Sequence, residues 1–352
     1  MDMTVALTRM LVLLTPLAVF GVGCAYEAPE PFVQSQWLGG REVDAATLNA
    51  GREAYSFYCY PCHGEKGDGR GPSATGLRTP PRDLRAATFK FAGVIDGLPH
   101  DEDLARIVKN GLSGTAMLPW PVPEEELNDI IQYIKTFSPE GEGWRDEDFE
   151  LGEQVLPGAD PWQGKSEEAA VEQGRTLYHS MVMCYQCHPA YETPARINEY
   201  RAELGMAPVA GFRESLWRPA PKASATFTRP MPGDPPCSED DECGGDDQIC
   251  RFGRCEQAMM VLPPDFTFNE LRDGTSLPDL YRTIAVGIPG TAMPSWIDGL
   301  SEEDIWSLAH YVQYLTGLRG SAERERIAER LQIDTISIAM RDKTGDEARS
   351  SP

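Results

Sequence analysis

Apolar residues recur at helical spacing in two series along the chain. In "HDEDLARIVKNGL", Leu104, Ile107, Val108 and Leu112 fall on one face. In "PEEELNDIIQYIKTF", an acidic start leads into Leu127, Ile130, Ile131 and Ile134. Far downstream "LPDLYRTIAVGI" and "SEEDIWSLAHYVQYLTGL" repeat the pair, with Ile305, Leu308, Ala309 and Val312 on one face and Ser301 with Asp304 as a capping signal. Shorter helical runs open each series, "NAGREAYSF" with Tyr55 and "EEAAVEQGRTLYHS" with Tyr178. No strand-like alternation stands out between them. The pattern predicts an all-α protein of two tandem helical domains.

The two series are copies. Each opens with its short helix, continues through "CYPCH" or "CYQCH", a Pro-Pro stretch and a middle helix, and closes on its last helix. Between middle and last helices stand "NGLSGTAMLPW" and "VGIPGTAMPSW". His63 and Met117 are 54 positions apart, His188 and Met293 are 105 apart, so the second copy carries an insertion of 51 residues. The expected boundaries are residues 48–138 and 167–318 for the two domains, with an acidic linker at 139–166. The insertion falls at about 191–260 and holds a cysteine-rich knob at 237–255. A charged tail fills 319–352, with a short helix near Glu323–Leu331.

With 352 residues, the chain is long enough for about two domains. The formal net charge of −23 disfavours nucleic acid and suits docking to positively charged surfaces. The apolar run Met10–Gly23 is too short to span a membrane comfortably and reads as the core of a signal peptide over residues 1–23. Small residues followed by Cys24 resemble a bacterial lipoprotein processing site. The expectation is a lipid on Cys24, a tether at 24–47, and a protein held at the periplasmic side of a membrane. Cleavage by ordinary signal peptidase would instead release a soluble periplasmic protein.

Cys59-Tyr-Pro-Cys62-His63 and Cys184-Tyr-Gln-Cys187-His188 carry the haem c attachment signature. Two thioethers fix the macrocycle and the adjacent histidine meets the iron. A zinc site needs four ligands, and each motif offers three nearby. A redox dithiol has no need of the same histidine twice. Two covalently bound haem c groups are therefore expected. Met117 and Met293 occupy equivalent points of Gly/Pro-rich loops, where a core methionine has no reason to recur. Both are expected as sixth iron ligands, which raise the reduction potential. His100, His179 and His310 read as structural, and Met259 or Met260 is a remote alternative to Met293. Trp120, Trp296 and Arg82 are candidate contacts to haem propionates, Arg82 through a bidentate pair. Asp265 stands near the point matching Arg82, so that role does not transfer. Tyr55, Tyr133, Tyr178 and Tyr311 read as aromatics packing helix on helix. Cys237, Cys243, Cys250 and Cys255 are expected to form two disulfides, with three pairings open. A calcium site at Asp240, Asp241, Asp246 and Asp247 is the alternative to plain solvated acidity.

On these motifs both copies resemble class I cytochrome c domains, over residues 48–138 and 167–318 minus the insertion. The resemblance implies helices around one haem in each copy, with first and last helices meeting at Gly51–Tyr55 against Tyr133, and at Gly174–Tyr178 against Tyr311. "CHGEKGDGRGP", "PPRDL" and "GTAMLPW" are similar to lipoprotein cytochrome subunits of respiratory complexes, including alternative complex III. The function so implied is electron transfer between redox partner proteins, with a membrane respiratory complex as partner and no catalysis. A dihaem peroxidase is the enzymatic alternative, and it would need one haem with an open face. A redox sensor or assembly subunit, with the knob as a binding element, is a third class.

Overall fold

The computed structural model describes residues 29–332, apart from 232 and 234. The expected signal peptide, Cys24 and the end of the tail lie outside the described residues. The described residues from Phe32 onward belong to one compact unit. This unit holds both copies. Among the described residues no helix is long and apolar enough to cross a membrane.

A small antiparallel hairpin, β1 (Gln36–Leu38) and β2 (Arg41–Val43), precedes the first copy. Helix α1 (Ala45–Tyr58) starts where the Asp44 side chain accepts from the Thr47 N–H. A single turn, α2 (Tyr60–His63), carries the first attachment motif. After a loop come β3 (Val94–Ile95), α3 (Asp101–Asn110) and α4 (Glu124–Lys135). His100, expected only as a structural histidine, is the N-cap residue of α3: Asp103 accepts from the His100 N–H at 3.2 Å, and the ring faces the Gly152 carbonyl at 2.9 Å. Strand β4 (Glu153–Gln154) pairs antiparallel with β3.

The second copy begins with α5 (Glu167–His179), capped by Ser166. A 3₁₀ turn, Cys184–Gln186, carries its attachment motif. Then come α6 (Pro194–Glu203), β5 (Lys222–Pro230), β6 (Gln248–Arg251) and β7 (Arg254–Val261). The copy ends with α7 (Leu277–Val286) and α8 (Glu302–Gly317). A last helix, α9 (322–332), buries Ile327 and Leu331 in the second core, so the charged segment has an apolar face of its own.

The all-α expectation is overturned: 38% of the described residues are helical and 10% are strand, with several sheets. The strands lie mostly in the insertion, as an antiparallel sheet of order β5-β7-β6. Met259 and Met260 are ladder positions of β7 opposite Ser224 and Ala223. Disulfides join Cys237 to Cys250 and Cys243 to Cys255 across this sheet, closing two short overlapping loops worth about 3 kcal/mol each by chain entropy. The Asp240 carboxylate accepts from the Cys250 N–H at 2.7 Å. Among the described residues the knob's aspartates form no metal-ligating cluster; the one close group there, Cys237, Cys243 and Cys255, consists of disulfide sulfurs.

Each copy has its own core. In both, the first helix crosses the last at a glycine. A Cβ on Gly51 would lie 2.0 Å from the Asp129 carbonyl oxygen, and one on Gly174 would lie 1.9 Å from that of Ser307. Tyr55 and Tyr133 pack edge to face at 5.3 Å, and Tyr178 and Tyr311 at 5.4 Å. The linker is ordered along its length. Trp144 is fully buried against Phe89 in the first copy, Val155 joins the second core, and Trp162 donates to the Ser307 hydroxyl at 3.0 Å. His310 lies in α8 and meets Asp160 of this linker at 2.9 Å.

Candidate haem sites

The two attachment motifs are built alike. Tyr55 donates its hydroxyl to the Gly64 carbonyl at 2.7 Å, and Tyr178 donates to that of Pro189 at 2.8 Å. Each bond ties the first helix to the residue just after the histidine. His63 Nδ1 faces the Arg82 carbonyl at 3.0 Å, and His188 Nδ1 faces the Pro264 carbonyl at 3.0 Å. A carbonyl can only accept, so each Nδ1 carries the proton and each Nε2 keeps its lone pair for a metal. Burial pushes the His63 imidazole below its usual value, and it takes His188 down to about 4, with Arg213 pushing the same way. Both rings are therefore neutral ligands at ordinary pH. Phe266 stacks on His188 with centroids 4.6 Å apart.

The motif cysteines Cys59, Cys62, Cys184 and Cys187 are free thiols. Burial, with the neighbouring thiol adding, pushes Cys59 and Cys184 up to about 12.

The methionine loops also match. The Leu112 N–H donates to the Met117 carbonyl at 2.7 Å, and the Ile288 N–H to that of Met293 at 3.2 Å. Thr115 and Thr291 hydroxyls accept from the Met117 and Met293 N–H groups at 3.1 and 3.2 Å. Gly111 and Gly287 turn at positive φ, 62° and 75°, where a Cβ would strike the loop backbone at about the methionine. Trp120 and Trp296 close the loops back onto α3 and α7 through bonds from their N–H groups to Val108 and Ala285. The Trp120 ring meets Tyr58 at 6.2 Å, beside Cys59, and Trp296 packs on the second core. Met293 also lines a cavity of about 310 Å³ whose other wall is residues 87–99 of the first copy.

Two features escape a sequence reading. The Pro-Pro stretches align one residue away from their letters. Asp83 accepts from the Arg85 N–H at 3.0 Å and Asp265 from the Thr267 N–H at 2.9 Å, so Asp83 matches Asp265 and Arg82 matches Pro264. Arg213, deep in the insertion, donates to the His188 carbonyl at 2.7 Å and to those of Tyr185 and Leu216 at 2.9 Å, bracing the second motif. No local pattern marks it.

The donor set fits haem c. Each motif pairs two free thiols with a neutral, correctly tautomerised imidazole, and a thioether loop repeats beside each middle helix. The buried Arg82 Nη2 has no hydrogen-bond partner among the described residues, while Nε donates to the Thr88 carbonyl at 2.7 Å. A guanidinium so placed suits a carboxylate. His179 is saturated, with Nδ1 on the Arg175 carbonyl and Nε2 accepting from the Tyr191 N–H. With His100 and His310 also engaged, it does not join either site.

The family model for subunit III of cbb3-type cytochrome c oxidase matches residues 46–134. No curated protein matches the sequence. Among solved structures, a chain of the Kuenenia stuttgartiensis reducing HAO-like protein complex is similar, with a TM-score of 0.50 and 25% identity over 76% of this chain and 95% of that one. Together with the site geometry these likenesses support a haem c electron-transfer cytochrome, in which residues 46–134 are a cytochrome c domain.

Proposed function

We propose that the protein is a dihaem cytochrome c that passes electrons between redox partner proteins at the periplasmic face of a membrane, in a respiratory chain. The observation that carries the number two is the repetition of the whole donor arrangement. Attachment thiols, Nδ1–carbonyl bond and methionine loop recur in both copies with the same internal hydrogen bonds. Bound haem supplies one-electron chemistry at its iron. The chain's own residues do the rest. Cys59, Cys62, Cys184 and Cys187 would anchor the macrocycles, His63 and His188 would supply nitrogen, and Met117 and Met293 would supply sulfur. A nitrogen and a sulfur donor in each copy would leave no place for a substrate, which argues for a carrier over a dihaem peroxidase.

A lipid on Cys24 would hold the chain at the membrane, beside a respiratory complex of the kind the first copy resembles. The solved relative is itself a complex of two proteins, which supports a protein redox partner. The docking face we assign to the first copy is an exposed apolar group: Phe57 is 76% and Leu118 61% exposed, and Phe57, Tyr58 and Trp120 touch in series.

Pyridine haemochrome analysis of the mature protein should return two haems per chain. Met117→Ala and Met293→Ala should each remove one methionine–iron charge-transfer band and lower one potential. If either variant keeps both bands and both potentials, the sulfur ligand at that site is wrong.

A further inference from the structure

Where the insertion meets the first copy, positive charge collects, and the one carboxylate that acts on Arg82, Asp83, also serves Arg85. Arg82 and Lys90 lie against one ring, Phe227 of β5, with the guanidinium carbon 4.5 Å and Nζ 3.8 Å from its centroid. Phe227 is buried. Arg272, from the second copy, and Arg82 both act on Lys90 as repelling neighbours, and Arg251 acts so on Arg82. Burial and these cations bring the Lys90 ammonium down to about 8.

The nearby carboxylates are committed elsewhere. Asp83 forks Arg85 at 2.7 Å, Glu256 pairs with Arg70 at 3.3 Å, and Asp273 sits between Arg106 and Arg282 at 2.6 and 3.1 Å. Among the described residues Lys90 and Arg272 have no carboxylate partner, and Arg82 Nη2 is buried without one. This happens in a chain with 55 acidic and 32 basic side chains. Like charges gathered beside a buried ring are costly unless an anion joins them.

We infer that Arg82 and Lys90, set against Phe227 of the second copy's insertion, form a carboxylate site between the two copies, with Arg272 as a neighbouring cation, and that this site takes the propionates of the haem held by His63. The link to that haem is the Arg82 carbonyl, which accepts from His63 Nδ1 and so anchors Arg82 behind its imidazole. Two carboxylates need more than one cation, and the site brings two. The insertion thereby gains a role: a sheet grown in the second copy reaches the first and dries its anion site. The inference rests on the dihaem reading, and haem content measured by pyridine haemochrome reads that assumption separately.

The test uses the full haem-loaded chain. Lys90→Gln and Arg272→Gln should each lower one of the two midpoint potentials by about tenfold in the reduction equilibrium, or 59 mV for one electron, and leave the other in place. The propionate bending modes in the resonance Raman spectrum should shift with it, and Lys90→Arg should restore both signals. Arg272 lies outside both attachment motifs, so its variant decides the matter if Lys90→Gln does not fold. Unchanged potentials and unchanged propionate modes would overturn the site. Replacing chloride by phosphate at constant ionic strength separates the other source of oxyanion. If phosphate moves the wild-type potential but not that of Lys90→Gln, the ligand is a free oxyanion and the propionate assignment falls.

Discussion

At the residue scale the second copy acts as a control for the first. Gly51 and Gly174 show it most simply, since each lets a helix backbone lie against a carbonyl oxygen where a methyl group has no room. Backbone cannot swing aside as a side chain can. Gly51→Ala and Gly174→Ala should each cost about 1–3 kcal/mol or more through overpacking, and each should destabilise its own copy first. On the dihaem proposal, denaturant midpoints followed at the two haem bands would read this, and midpoints equal to wild type would refute the crossing. These glycines, with Tyr55 and Tyr178, are legible in the sequence because packing repeats with the helix period. So are the histidines and methionines of the two copies, because their motifs recur in register. The backbone partners of the histidines are not. The eye aligns Pro80-Pro81 with Pro263-Pro264, while the hydrogen bonds align Asp83 with Asp265. Lys90 and Arg272 are illegible for another reason: their meaning lies in a proximity between copies that no local spacing encodes.

At the element scale the helices were readable and the insertion's strands were not. Helices α3, α4, α7 and α8 announce themselves by long apolar stripes with acidic first turns. Strand β5 alternates only over "KASATFT", and the cysteines of the neighbouring segments draw the reading toward a stapled knob without regular structure. The chain's pH response belongs to this scale too. Asp101 opens α3 and meets Lys135 at the end of α4 at 2.6 Å, with Gln132 at 2.8 Å and Arg41 at 3.0 Å. Burial alone would raise its carboxyl, but Lys135, Gln132 and Arg41 outweigh burial and hold it below 3.8. A carboxylate depressed in the folded state adds stability that is present above its unfolded value and lost as pH falls through the folded one. Asp101→Asn should therefore be less stable than wild type near neutrality, and the gap should narrow below pH 3.8. Urea unfolding at both pH values checks the sign, and a gap that widens in acid would contradict it.

At the scale of the whole molecule the copies are joined by reciprocal contacts. The first methionine loop bonds the second copy through the Ser113 N–H and the Arg272 carbonyl at 3.1 Å, and the second loop faces residues 87–99 of the first. Asp273 holds Arg106 and Arg282, one from each copy. Away from these contacts the two copies present unequal faces. The first copy shows Phe57 and Leu118 to solvent beside Tyr58 and Trp120; at the place of Phe57 the second copy has Ser180, which is buried, and its loop is held by the Ser224 hydroxyl on the Gly290 carbonyl at 2.6 Å. Exposed Glu53, Glu124, Glu125 and Glu126 stand on α1 and α4 of the first copy. With a net charge of −23, this asymmetry points to a basic redox partner at the first copy. Electron exchange with a basic cytochrome c, followed by stopped flow, should slow as salt is raised, because exposed charges are screened over about 8 Å at physiological ionic strength. Phe57→Ser with Leu118→Ser should slow it about tenfold at every salt concentration, with haem spectra and exchange with small neutral mediators unchanged. Glu124→Gln with Glu125→Gln should instead flatten the salt dependence. A rate indifferent to both pairs of changes would move the port to the second copy.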